Sequence, residues 1–220
     1  TILIDNKIYF IRKILRFKRY GNWKKKRFLL ISITISFILL LISTFLLSEY
    51  IANKNAPKKV TTIIESLNLI DHKGSPFKSS SLKQQPSLIF FGFTHCPEVC
   101  PTTLGELSEI TGDLKSKIIP TNIIFVTLDP VRDTQNLLNQ YFKNFDDNII
   151  GVTGSIEDLR KLGDNWGVYY ERVSLKNNDY TLNHTATVFM IDKDGNYRGT
   201  IAWGENENSI AQKIIRLSTY

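Results

Sequence analysis

SLIFFGFTHCPEVCPTTL, residues 87–104, decides how this chain folds. Residues 87–93 form a short, continuous apolar run. A half-exposed strand would alternate, so this run reads as a strand buried on both faces. From residue 101 to 117, Leu104, Leu107, Ile110 and Leu114 recur at helical spacing, so a helix is expected to follow. Both cysteines of the chain, Cys96 and Cys100, fall in the junction. In open α/β sheets, sites form at the carboxyl ends of strands. A helix N-terminus stabilises a thiolate through its free N–H groups and its dipole. Pro97 and Pro101 suit a first turn, whose N–H groups have no intrahelical partner. Residues four apart in such a turn face the same way, so the two sulfurs can converge on one ion.

Working outward, strand and helix signals alternate. Residues 60–69 read as extended, before a turn at Asp71-His72-Lys73-Gly74. Residues 122–128 (NIIFVTL) are a second buried strand. Asp133 is expected to open a helix that carries Leu137, Leu138, Tyr141, Phe142 and Phe145 on one side. Residues 149–152 form a short strand, and Ser155 with Asp158 marks a helix start. Residues 168–174 read as a strand. Residues 185–191 and 197–203 flank Asp192-Lys193-Asp194-Gly195 as a hairpin, and a last helix covers 208–217. This order predicts an α/β fold, a mixed sheet flanked by helices. There is no internal repeat and no glycine-rich phosphate loop.

Charge and hydropathy set the N-terminus apart. Residues 1–27 hold ten Lys/Arg and one acid, for a net charge of +9, while the other residues hold eighteen basic and twenty acidic groups. The chain's overall +7 is therefore local, and a globally basic nucleic-acid binder is excluded. An apolar content of 42% excludes a wholly disordered chain, and two cysteines exclude a disulfide-rich scaffold. Between Phe28 and Leu47 lie twenty residues without a charge, FLLISITISFILLLISTFLL. As a helix they span roughly 30 Å, the thickness of a bilayer's hydrocarbon core. Ser and Thr are their only polar side chains, and both can bond back to their own helix. The basic flank before the run places the N-terminus on the cytoplasmic side by the positive-inside rule. The run is longer than a signal peptide's apolar region, and no Ala-x-Ala follows it, so an uncleaved anchor is expected. The expected organisation is a basic segment over 1–27, a transmembrane helix over 28–47, a linker over 48–59 and a folded domain over 60–220.

The cysteine pair carries the chemistry. As a structural staple, a disulfide closing so small a ring removes only about 2 kcal/mol of unfolded-state entropy. A working dithiol is the better reading. Structural zinc takes four Cys or His ligands, and this chain offers two Cys and three His. Two thiolates and one imidazole suit copper better, because Cu(I) prefers soft ligands and accepts low coordination. His72 reads as a surface residue in its turn. His95 adjoins Cys96, but its backbone is still finishing the strand. His184 lies far along the chain, before the hairpin. Spacing alone does not choose between His95 and His184.

Three motifs, FGFTHCPEVCPTTL, LDPVRDT (128–134) and YTLNHTATVFMIDKDG (180–195), resemble in sequence and order the Sco/SenC family of copper proteins. The resemblance implies a thioredoxin-like fold on a single N-terminal transmembrane helix. It implies copper, as Cu(I) or Cu(II), held by Cys96, Cys100 and His184, with Asp129 near the site. It also implies a chaperone, rather than a turnover enzyme, that assists Cu(A) assembly in the copper-bearing subunit of cytochrome c oxidase. A bacterial inner membrane with the domain outside fits that role better than a mitochondrial one, since residues 1–27 lack Ser and are Lys-rich. Another copper chaperone or a thioredoxin-like reductant would be a second partner. The alternatives are a thiol-disulfide reductase working through a Cys96–Cys100 disulfide, or a copper-dependent redox sensor. Redox thioredoxins place a proline where this chain has Asn183-His184-Thr185, which favours metal over exchange. The family often has an acid where Asn183 stands.

Overall fold

The structure is a computed structural model that describes residues 27, 29–48, 60–82, 85–115, 120–145 and 148–220. The expected basic segment, Phe28 and nearly all of the expected linker lie outside these. Helix α1, Leu29–Ser48, has a mean hydropathy of 2.6 and buries none of its surface within the protein. Among the described residues it is the one helix long and apolar enough to cross a membrane. Its hydroxyls turn inward, with Thr34 donating to Ile31 O at 2.8 Å, Thr44 to Leu41 O at 2.9 Å and Ser48 to Phe45 O at 2.7 Å. Each of these three hydroxyls is thereby paired within its own helix.

The second unit runs from Pro57 to Tyr220. Its elements, in chain order, are α2 (Val60–Glu65), β1 (Leu69–Asp71), a 3₁₀ turn (Ser79–Leu82), β2 (Ser87–Gly92) and α3 (Val99–Lys115). There follow β3 (Asn122–Thr127), α4 (Gln135–Phe142), β4 (Ile149–Gly154), α5 (Ile156–Asn165) and β5 (Tyr170–Ser174). A second 3₁₀ turn (Lys176–Asn178) leads to β6 (Tyr180–His184), β7 (Val188–Ile191), β8 (Tyr197–Ile201) and α6 (Glu207–Ser218). Six strands form one mixed sheet in the order β1-β4-β3-β2-β7-β8. The β2–β3 and β3–β4 pairs are parallel, and β1, β7 and β8 join antiparallel.

As the sequence predicts, β2 is central and every residue of it is buried. Its neighbours Phe90 and Phe91 point to opposite faces. Phe91 meets the rings of Trp166 and Phe189, while Phe90 meets those of Phe125 and His184. Burying such rings contributes on the order of 2–3 kcal/mol each. Helices α3 and α6 pack on one another, and α2 packs on α5. Side chains cap the helices by accepting backbone N–H groups: Thr134 from Leu137 at α4, and Ser155 from Asp158 at α5.

Several expectations are corrected. Residues 60–69 are not extended throughout. Val60, Ile63, Ile64 and Leu67 are buried at helical spacing, and packing against α5 overrides the strand preference of their branched side chains. Asp133 does not open α4, because Thr134 caps it and Asp133 turns inward, fully buried. His72 is buried rather than exposed, its Nδ1 accepting the Gly151 N–H at 3.1 Å. The strand expected over 185–191 begins only at Val188, which pairs with Phe90. Residues 180–184 form an unforeseen strand, β6, which pairs with β5 in a separate two-stranded ribbon.

Candidate metal centre

Beyond β2 the chain leaves the sheet at Phe93 and turns through Thr94 and His95 into α3. Asp133 pins this turn. Its Oδ2 accepts the Thr94 N–H at 3.0 Å and the Thr127 hydroxyl at 2.6 Å, and its Oδ1 accepts the Thr94 hydroxyl at 2.5 Å. Burial pushes the Asp133 carboxyl upward, against the pull of these hydrogen bonds. The sequence reading missed this role because an Asp ahead of a helix looks like a cap.

Cys96 stands just before α3 and Cys100 in its first turn. The Cys100 N–H donates to Cys96 Sγ at 3.3 Å, so the sulfur sits where the helix end is positive. Cys96 is half-buried and Cys100 fully buried. Gly92 makes room for the inner sulfur, since a Cβ there would lie 2.9 Å from Cys100 Sγ and 2.8 Å from the Phe125 ring.

The ribbon supplies the imidazole. His184 ends β6 opposite Tyr170, and its Nε2 lies 3.6 Å from Cys100 Sγ. Its Nδ1 lies 3.0 Å from Thr185 O, a carbonyl that can only accept, which assigns the ring proton to Nδ1 and leaves the Nε2 lone pair facing the sulfurs. The rings of Phe90 and Phe93 stand edge-on to the imidazole at 6.2 and 5.8 Å. The structure thus brings together Cys96, Cys100 and His184, whose donor atoms all lie within 4.8 Å of one another. Metal–sulfur and metal–imidazole bonds of about 2.0–2.3 Å hold donors within about 4.6 Å, so the triangle is nearly of the size a metal ion needs.

His95 is partly exposed and its Nδ1 faces the Thr94 hydroxyl at 3.1 Å. Asp129 is buried beside the ribbon. Its Oδ1 accepts the Tyr180 hydroxyl at 2.8 Å and its Oδ2 the Arg132 Nε–H at 2.5 Å, so it acts on β6 rather than on the three donors directly. Tyr141, expected only as part of the packed side of its helix, has a buried hydroxyl, and burial followed by the negative charge of the cysteine pair and Asp133 pushes its phenol upward.

The two thiols share one proton unequally. A hydrogen bond from the Cys100 thiol, with help from the Cys100 and Glu98 backbones, outweighs burial and pushes Cys96 down to about 4. The same bond and deeper burial push Cys100 upward. At neutral pH the pair is one thiolate and one thiol, a soft, half-open donor set.

A family model described as SCO1/SenC matches residues 55–219. An SCO2-like protein of Rickettsia felis is 40% identical over 131 residues, which are 59% of this chain and 64% of the relative. The chain thus spans just under two thirds of that relative's length. The mitochondrial protein SCO2 of Saccharomyces cerevisiae is 30% identical over 211 residues, 90% of this chain and 67% of the relative. The solved structure of Bradyrhizobium japonicum ScoI with copper bound superimposes with a TM-score of 0.63 at 35% identity, covering 69% of this chain and 96% of that one.

Proposed function

The chain belongs to the SCO1/SenC family, and on that premise we propose that it is a membrane-anchored copper chaperone. It takes copper as cargo on Cys96, Cys100 and His184 and delivers it to the Cu(A) site of a cytochrome c oxidase subunit. One observation carries this reading: two sulfurs from a helix start and one imidazole nitrogen from a separate ribbon meet within 4.8 Å. Two thiolates and an imidazole are soft enough for Cu(I) and too few for structural zinc. Helix α1 is the anchor, with residues 1–27 on the cytoplasmic side and the domain from residue 60 outside.

A second reading has its own support. A half-exposed thiolate at Cys96 beside a buried thiol at Cys100 is also the layout of a nucleophile and a resolving cysteine. Such a pair would reduce the oxidase subunit's cysteines rather than metallate them. The two roles separate at His184, because copper needs the imidazole and disulfide attack does not.

The test replaces Cys96 or Cys100 by Ser, and His184 by Ala, in the full chain. Each serine variant is expected to lose copper affinity steeply, since a hydroxyl is a poor ligand for Cu(I). His184→Ala is expected to lose copper affinity and Cu(A) assembly while keeping a reducible Cys96–Cys100 disulfide. Full oxidase assembly by His184→Ala in copper-starved cells would transfer the assignment to the thiol reductase.

A further inference from the structure

Arg132 lies in the turn between β3 and α4 and makes none of the three donor contacts, yet it ties the ribbon to the sheet. Its Nε donates to Asp129 Oδ2 at 2.5 Å. Its Nη1 donates to Tyr180 O at 2.8 Å and to Asp179 Oδ1 at 3.2 Å. Its guanidinium also lies 3.6 Å from the centre of the Tyr180 ring, and Arg172 lies at the same distance from that ring. The Tyr180 hydroxyl closes the circuit on Asp129 Oδ1 at 2.8 Å. Tyr180 is therefore gripped at its carbonyl, its ring and its hydroxyl.

Tyr180 begins the five-residue strand that His184 ends. A grip at one end of so short a strand fixes the position of the other. A second route is shorter. Arg132 lies 5.9 Å from the Phe93 ring centre, and Phe93 stands edge-on to the imidazole at 5.8 Å. Among the described residues, Nη2 of Arg132 is buried with no hydrogen-bond partner. An unpaired buried donor costs stability, so the placement of this guanidinium is not accounted for by stability alone.

We propose that Arg132 is a positioning residue for the metal centre: through Tyr180 and Phe93 it holds the His184 imidazole against Cys96 and Cys100. The proposal rests on His184 being a copper ligand. Groups that orient a ligand commonly change metal affinity about 10–100-fold when removed. None of the hydrogen bonds given above for Arg132 goes to Cys96 or Cys100, whose loop is held by α3 and by Asp133.

The test is a double-mutant cycle in the detergent-solubilised full chain. Cu(I) affinity is measured by competition with a chromophoric chelator for the wild type, Arg132→Met, His184→Ala and the double variant. Melting temperature and the reduction potential of the cysteine pair are read alongside. Arg132→Met is expected to weaken Cu(I) binding about tenfold or more with the reduction potential unchanged, and the double variant to bind like His184→Ala alone. Wild-type affinity in Arg132→Met, or an equal loss in both backgrounds, overturns the positioning role. Wild-type affinity in His184→Ala removes instead the ligand assignment beneath it. If Arg132→Met does not fold, Tyr180→Phe enters the same cycle. It deletes the bond to Asp129 at nearly constant volume, and the same dependence on His184 decides the outcome.

Discussion

Cys96 and Cys100 are the same side chain four residues apart, and their surroundings hold their protons very differently. Cys96 accepts a hydrogen bond at a helix start, whereas Cys100 lies under the carboxyl end of the central strand β2 against Gly92. Alkylation by iodoacetamide, followed from pH 3 to 10, should therefore modify Cys96 with an apparent pKa of about 4. The sign follows from the lowered value: the thiolate persists as pH falls and is lost only near pH 4. Cys100, raised and buried, should stay unmodified throughout. A rate that climbs only above pH 8 would show that the two thiols do not share a proton. Much of this was legible in the sequence, since a Cys-x3-Cys pair between an apolar run and a helical period places both sulfurs. The choice of His184 was legible in the motif resemblance but not in spacing, because its strand belongs to a ribbon joined by contacts that local periodicity does not carry. Nor was the burial of His72, which looked like any polar residue in a turn. Its acceptor bond to Gly151 comes from 79 positions away.

At the scale of elements, the β7–β8 turn shows how one side chain organises a hairpin. Asp192 is fully buried and accepts the N–H groups of Asp194 and Asn196, each at 2.9 Å, and the Arg198 Nε–H at 2.6 Å. Burial pushes its carboxyl upward, but the hydrogen bonds from Asn196, Arg198 and Asp194 outweigh it and leave the group below the ordinary carboxylate value. A lowered carboxyl stabilises the fold fully above its unfolded pKa of about 3.9 and loses that contribution as pH falls through the folded value. Asp192→Asn should cost about 2 kcal/mol at pH 7, because the buried carboxylate loses its charge-assisted hydrogen bonds, while Arg198 is itself partly exposed and can turn to water. Urea melts from pH 7 to 3 check both statements: the gap between wild type and variant should persist to about pH 4 and narrow below it. A loss under 1 kcal/mol would mean that the turn backbone alone sets the hairpin. The Asp-Lys-Asp-Gly string marked this turn in the sequence. Helix α2 was misread, because Val60, Ile63 and Ile64 are strand-formers and only their spacing, i, i+3, i+4, gave the helix away.

At the scale of the whole molecule, the chain combines an apolar helix with a domain whose donor set comes from a helix start and a separate ribbon. If residues 1–27 stay in the cytoplasm, a reporter active only outside it, fused after Tyr220, should be active. Activity confined to a cytoplasmic reporter would reverse the orientation and remove the domain from any Cu(A) site across the membrane. The positions of the three donors carry a further consequence. Cys100 is closed off by the sheet, and the imidazole is flanked by two phenylalanine rings. Cys96 and His184 are both half-buried, so under the proposed copper role a cargo ion would have two donors on the solvent side and one behind them. If the domain hands over copper as proposed, a recipient's donor would meet Cys96 or His184 before Cys100, so the bond to the buried sulfur would be the last to be exchanged.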